Sequence, residues 1–413
     1  MTVTQARLNR YRSDIDAYGD AAASYVEQYI AALIAENPGI PVAELREEAI
    51  EAVEDALNAF GDQASSLALD LFDEIVEQYG IDAESSIVDV IPREMIDGGV
   101  RYSAKNIVDG RSDKFTRDVA DLTRYYIHRS AFENIERNCE RNDLRYARVP
   151  SGRETCGFCF MLSSRGFVYR SEQTAGSTHA YHDHCDCVIV PGFKDDDREL
   201  GPQIEGYDPD GMYERWMMCQ MTLGGEKVLK SQWEGMDAKD RARYKGNSDA
   251  ERYRKFAAAQ VRHEVETRDW RWLNTGELPK ITFESEALEN EIRELRPQEI
   301  ETAEILRTFG VPVDFEVDVR KYINDDGQEI SVGLADFASG YEIKTLESAS
   351  TYNTINGYIK NASKKENARF LCFDNSDGGI DDGELIGFIK RSQAFKRGRI
   401  YIISSTGEYK FVR

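Results

Sequence analysis

Asp336, Glu342 and Lys344 stand at the spacing of a metal-dependent nuclease site: Ala335-Asp336-Phe337, a gap of three residues, then Tyr341-Glu342-Ile343-Lys344. Apolar residues alternate from Val332 to Phe337 and from Tyr341 to Thr345, which predicts two strands of a hairpin turning at Ala338-Ser339-Gly340. Such a turn sets Asp336 across from Glu342, and the period of two puts Lys344 on the same face, with Phe337, Tyr341 and Ile343 on the core side. Facing carboxylates repel, so a sheet gains from this pair only with a cation between them. Magnesium suits Asp336 and Glu342 because it takes oxygen ligands, keeps several waters and turns one into a nucleophile. Lys344 would orient that water or stabilise charge developing on phosphorus. The competing reading is a solvated hairpin with an ordinary Glu-x-Lys pattern, a weak motif by itself.

A second group of reactive residues is Cys156-Gly157-Phe158-Cys159 followed by His182-Asp183-His184-Cys185-Asp186-Cys187. Four of the seven cysteines and two of the five histidines fall here, in two clusters about 25 residues apart. This is a zinc pattern, because a tetrahedral ion needs two short chelate loops closed by a longer one. Cys156, Cys159, His182, Cys185 and Cys187 already outnumber four positions, so spacing leaves the set open. Redox chemistry is the rival, but no thioredoxin-like βαβ pattern surrounds Cys156, and a cytoplasm keeps thiols reduced. A catalytic zinc would need an open position and a general base, for which Glu154 is the obvious candidate. Cys139, Cys219 and Cys372 read as packed residues.

The segment from Gln298 to Arg413 resembles the C-terminal tRNA-nuclease domain of CdiA-type contact-dependent toxins, a member of the PD-(D/E)xK superfamily. In that family a helix carrying a glutamate precedes the hairpin, and the run Glu301 to Gly310 is similar, with Glu301 at the matching position. A Ser/Thr-rich turn and a basic helix follow, here Ser350 to Ile355 and then Lys360, Lys364 and Lys365. Ala335 replaces the family's proline, and Lys365-Glu366-Asn367 stands where Lys-Gln is usual. The resemblance implies catalysis by Glu301, Asp336, Glu342 and Lys344, and nucleic-acid contacts from Thr351, Asn353, Lys360 and Lys364. It also implies a tRNA substrate and a cognate immunity protein bound to the same domain.

From about residue 50 to Phe193 the chain resembles the MuF-type minor head proteins of phages. The signature is Cys156 and Cys159, then Ser164-Arg165-Gly166 with Tyr169, then His182, Cys185 and Cys187 before Pro191. In that register His182 is the family histidine and His184 is an extra. The resemblance implies a structural zinc and a few copies inside the phage head, near the portal and touching scaffold or capsid proteins. Joined to a nuclease, it implies a two-part molecule carried in the virion and acting in the host cytoplasm.

The elements that must position these residues follow from pattern. The first 140 residues look almost wholly helical, with Ile50, Val53, Ala56, Leu57 and Phe60, and Leu67, Leu71, Ile75 and Tyr79, on amphipathic faces. Asn37-Pro38-Gly39 breaks the first helices and Pro41 starts another. The run from Ile107 to Asn138 is too aromatic for a solvated rod. Helices are also expected at Met212 to Met221, Met236 to Tyr244, Asp249 to Trp272, about Thr354 to Lys365 and Glu384 to Ser392, and strands near Phe370 to Phe373, Ile400 to Ser404 and Tyr409 to Val412. Asp195-Asp196-Asp197 reads as an exposed acidic run, Glu284 to Arg296 as a charged spacer, and the four tryptophans as packing back or docking a partner.

The fold class is α+β multidomain. Residues 1–140 form a helical bundle, 141–195 a small β-rich zinc end, 196–297 a helical connecting region with the spacer, and 298–413 an α/β nuclease domain. Net charge is −23, and residues 1–100 alone carry 21 acidic and five basic side chains. That front repels naked nucleic acid and suits protein partners. Nothing resembles a signal peptide or a membrane span, so a soluble protein without a membrane partner is expected. Two other functions fit the same residues: a structural head protein with an inactive tail, and a metal-dependent DNase. The PD-(D/E)xK fold does not select between RNA and DNA.

Overall fold

The computed structural model describes residues 3–151, 155–170, 187–193, 203–323, 328–346 and 350–413. Contacts divide the chain into two units, Met1–Asp210 and Gly211–Arg413. In the first, β1 (Val3–Thr4) leads into α1 (Gln5–Glu36), where the Thr4 hydroxyl accepts the Arg7 N–H and caps the helix. The helix ends at Asn37-Pro38-Gly39, and α2 (Val42–Ala56) begins after Pro41. A π-helical turn, Leu57–Gly61, joins α2 to α3 (Asp62–Gln78), and α4 (Arg93–Val108) and α5 (Ser112–Arg141) complete the helices. Gly110, at φ +72°, separates the last two, so Ile107 lies on a different helix from Phe115 and Phe132. Ile50, Val53, Ala56, Leu71, Ile75, Phe115, Val119 and Phe132 share one core.

An extended segment between α3 and α4 is held along α5 by three asparagines. Asn134, Asn138 and Asn142 each donate to a backbone carbonyl and accept a backbone N–H, from Val88, Ser86 and Glu84 respectively, at 2.7–3.2 Å. Four helical residues advance about 6.0 Å and two extended residues about 6.6 Å, so the two periods match over this length. The unit closes with β2 (Arg145–Pro150), α6 (Gly157–Ser163), β3 (Cys187–Gly192) and β4 (Ile204–Glu205). β2 pairs antiparallel with β3, and β4 pairs parallel with β1.

The second unit opens with α7 (Pro209–Thr222), α8 (Gly225–Gly235), α9 (Ala238–Arg241), α10 (Asp249–Val265) and α11 (Trp270–Thr275). The helix expected from Met236 to Tyr244 is thus four residues long, and the one expected from Asp249 to Trp272 breaks before Asp269, whose carboxylate caps α11. Next come β5 (Thr282–Phe283), α12 (Glu286–Leu295), α13 (Pro297–Thr308), β6 (Asp314–Phe315), β7 (Val319–Ile323) and β8 (Glu329–Gly333). The main sheet and its helices are β9 (Tyr341–Thr345), α14 (Tyr352–Ala362), β10 (Phe370–Asp374), α15 (Asp382–Arg391), β11 (Arg399–Ile403) and β12 (Tyr409–Phe411).

The sheet runs β12-β11-β10-β9, with β9, β10 and β11 parallel and β12 antiparallel at one edge. Its alternating residues feed two cores. Tyr341, Ile343, Cys372, Tyr401 and Ile403 meet α12 and α13, while Leu371, Phe373, Ile400 and Ile402 meet α14 and α15. Both faces are covered, as parallel strands require. The stretch expected as a spacer is α12, whose Leu288 and Ile292 are buried with Ala303 and Leu306; one apolar i,i+4 pair docks an otherwise charged helix. Helices α7–α11 belong to this same unit. Trp272 packs so closely on Gly310 (φ +76°) that a Cβ there would stand 2.3 Å from the indole. Trp233 is buried beside Tyr244, Tyr253 and Phe256. Among the described residues no helix is long and apolar enough to cross a membrane.

Candidate functional site

The carboxylates of the expected nuclease site converge, but on different local structure from the hairpin predicted. β8 ends at Gly333 and pairs with β7, whereas β9 pairs with β10 in the main sheet. Between them the chain peels away. The Leu334 N–H donates to Asp318 O, the Ala335 N–H to Asn367 Oδ1, and Phe337 makes a single bridge to Phe315. A tight turn then brings Phe337 N–H to Tyr341 O, and Gly340 at φ +90° is required there, since a Cβ would meet Asn367 O at 2.8 Å. The alternation in Val332 to Phe337 therefore marks neither a continuous strand nor a two-sided burial pattern, since Leu334, Ala335, Asp336 and Phe337 are all buried.

Asp336 and Glu342 are 4% and 1% exposed. One Asp336 oxygen accepts the Ile343 N–H at 2.7 Å. Lys344 Nζ lies 2.8 Å from Glu342 and 3.5 Å from Asp336, and donates to Ile343 O. Lys365, which follows α14, reaches the same two carboxylates at 2.5 and 3.6 Å. Two carboxylates are thus bracketed by two ammonium groups. Burial, then the charge of Asp336, pushes the Glu342 carboxyl up. Burial alone would depress Lys344, but Asp336 and Glu342 outweigh it and its net shift is upward.

Glu301, expected as the helix glutamate, is exposed on α13. Two residues before it, Glu299 is half-buried, and its carboxyl is pushed up to about 7 by burial and then by Asp336. The reason is helical phase. Glu299, Thr302, Ala303 and Leu306 share one stripe, and a residue two positions from Glu299 points about 200° away from it. Thr302 on that stripe bonds the buried Asp374 and meets Thr345 at 3.4 Å. The sequence did hold this signal, since Glu299 heads the i, i+3, i+4, i+7 series. Lys365 was expected in the basic stretch, but its contact with Asp336 and Glu342 carried no comparable signal, because it depends on Glu366 N–H bonding Gly333 O and on Asn367 bonding both Ala335 N–H and Glu316.

Thr351 caps α14 and Asn353 is exposed in its first turn. Lys360 is exposed on the helix, and Lys364 is exposed beyond its end at Ala362, three residues short of the expected end near Lys365. Among the described residues none of these four shares a hydrogen bond or ion pair with the Asp336 cluster.

In the first unit Cys156 caps the short helix α6, its Sγ accepting the Cys159 N–H at 3.4 Å. Cys159 and Cys187 place their Sγ atoms 3.5 Å apart, too far for a disulfide and near the about 3.8 Å edge of a tetrahedron with Zn–S of about 2.3 Å. Arg148 Nη1 donates toward Cys187 at 3.8 Å. His182, His184, Cys185, Glu154 and the Asp195-Asp196-Asp197 run lie outside the described residues. Among the described residues no group of three or more His, Cys, Asp or Glu is arranged to hold a metal ion.

A family model described as VG15 protein matches residues 2–219. The chain belongs to this phage protein family. No curated protein and no solved structure matches it. The VG15 match covers the helical unit and the Cys156–Cys159–Cys187 group, and ends inside α7. Asp336, Glu342, Lys344, Lys365 and Glu299 all lie beyond the VG15 region.

Proposed function

We propose that this VG15-family phage protein is a minor head protein carrying a metal-dependent nuclease of the PD-(D/E)xK type, with tRNA as its substrate. The observation that carries the reading is the convergence of Asp336 and Glu342, buried on one strand and the turn before it, with Lys344 and Lys365. A structural sheet gains little from burying two carboxylates side by side. Magnesium commonly uses one or two protein carboxylates and takes its other ligands from phosphate and water, so this pair fits it without a third ligand. A divalent cation held by Asp336 and Glu342 would supply Lewis-acid charge at the scissile phosphate. Lys344, held charged by both carboxylates, places positive charge where the phosphorane develops. Lys365 offers a second ammonium to a phosphate oxygen, and the Glu299 carboxyl, pushed up to about 7 by burial and Asp336, suits proton exchange around neutral pH.

In the VG15 region, Cys156, Cys159 and Cys187 with His182 or Cys185 supply the donor types of a structural zinc. The strongly acidic surface there suits portal, scaffold or capsid partners rather than nucleic acid. On this reading the protein rides inside the phage head and acts in the host cytoplasm, and a cognate immunity protein restrains it during assembly.

The test is incubation of the intact chain with total tRNA and with plasmid DNA, in magnesium and in chelator, beside Glu342→Ala and Lys344→Met. The expected result is magnesium-dependent tRNA cleavage reduced at least about a hundredfold in both variants. Cleavage of plasmid alone would make the domain a DNase. A folded chain that cuts neither polymer would make the second unit a structural tail.

A further inference from the structure

The sheet edge farthest from the candidate site, β12, borders a groove of about 980 Å³. Val412 N–H and Glu408 O bond β11 through Ile400 and Ser404. That alternation turns the N–H and C=O of Tyr409 and Phe411 outward, and among the described residues these backbone groups have no hydrogen-bond partner. Met218 and Met221 of α7 and Val228 of α8 line one side of the groove, and Ile386 of α15 the other. Met221 is 62% exposed and Val228 42%, so the lining is apolar and uncovered. Lys227 and Lys390 stand on its rim, and among the described residues neither has an ion-pair partner.

We propose that this groove takes an extended segment of an acidic partner protein, added as a strand beside β12. Tyr409 and Phe411 supply backbone hydrogen bonds at the i, i+2 spacing an added strand needs. The methionines accept its apolar side chains because they repack readily, and Lys227 and Lys390 meet its carboxylates. In the register centred on Lys410 a second copy would set Lys410 against Lys410, and Lys227 and Lys390 on the rim favour an acidic partner, so self-association is kept as an outcome of the test. β9, which carries Glu342 and Lys344, is the opposite edge, so the partner is an anchor and leaves the candidate site open. The inference does not depend on the nuclease reading.

The test is titration of the intact chain, methyl-labelled at Met and Ile, with a capped seven-residue peptide of alternating Val and Glu. Two control peptides replace Glu by Lys or N-methylate alternate amides. Saturable shifts are expected at the Met218, Met221 and Ile386 methyls, with affinity at least tenfold weaker for either control. The double variant Lys227→Glu, Lys390→Glu, checked for folding by its unchanged remaining spectrum, should then prefer the Lys peptide. No saturable shift with the acidic peptide, equal response to all three peptides, or no change of preference in the double variant overturns the proposal. So does a dimer of the free chain in sedimentation that the peptide dissolves, which would assign the groove to a second copy.

Discussion

The two units of this chain treat charge in opposite ways. Residues 1–210 carry 40 acidic and 21 basic side chains, and residues 211–413 carry 35 and 31. In the first unit a prominent buried ion pair, Arg129 with Glu133, sits one turn apart on a single helix. In the second, buried charge is gathered from elements distant in sequence. Glu264 on α10 accepts from Arg268, from Arg399 at 2.9 Å and from the Tyr401 hydroxyl at 2.9 Å, while Asp336 and Glu342 meet Lys344 and Lys365. A local pair follows from helix spacing; a distant one forms only when the whole unit closes. The second unit therefore adds to its two apolar cores a buried-charge contribution that is complete only when distant elements have closed.

The most severe way to break that contrast is Glu264→Gln. It leaves Arg268 and Arg399 without their shared carboxylate in a site where Glu264 is 0% exposed, and stranding buried charge costs about 3–5 kcal/mol. Calorimetry of the intact chain should show the transition of the second unit moved down while that of the first stays. Equal movement of both would mean the two cores unfold as one. A smaller effect is expected on the other side of the comparison. Asn138→Ala removes both partners of the Ser86 backbone, a loss of about 1–3 kcal/mol confined to the first unit. Hydrogen exchange at the Ser86 amide should speed up, with the Glu264 region unchanged.

These cases also mark what was legible in the sequence. Helices with a long apolar stripe, such as Ile50, Val53 and Ala56, were readable because period alone decides their buried face. The sheet strands at Phe370 and Ile400 were readable for a different reason, as continuous apolar runs buried on both faces, and the convergence of Asp336, Glu342 and Lys344 was readable because it needs only a short turn. The partner of β9 was not, because Val332 to Phe337 alternates while leaving its strand at Gly333 to satisfy Asp318 and Asn367. Lys365 was named in the basic stretch, but its contact with Asp336 and Glu342, like the Glu264 network, was not readable, since each joins residues whose separation no local rule constrains. Glu301 was carried over from the resemblance and is exposed, whereas α13's own stripe places Glu299 on the half-buried side.

The finest form of the comparison is in proton linkage, where the units should respond to acid with opposite sign. His128 on α5 faces Asp16, Arg12 and Arg124; burial outweighs its bond to Asp16, and its pKa lies below the ordinary 6.5. The unfolded chain then binds more protons below pH 6.5, so stability held by neutral His128 is present above that pH and lost as pH falls. Glu299 runs the other way. Its folded value is about 7 against 4.5, so between those limits the native state binds the extra proton and stability falls as pH rises. Between pH 6.5 and 5, in chelator, the first unit's midpoint should drop while Glu299 raises the second's. Glu342, also pushed up by burial and Asp336, adds to the second unit's slope, and His263, pushed down by burial, opposes it. Glu299→Gln should therefore weaken the stabilisation of the second unit by acid without touching the first, and His128→Gln should flatten the first without touching the second. The two slopes share a pH window but no residues, so a single variant that abolished both would refute the separation of the cores from which the contrast begins.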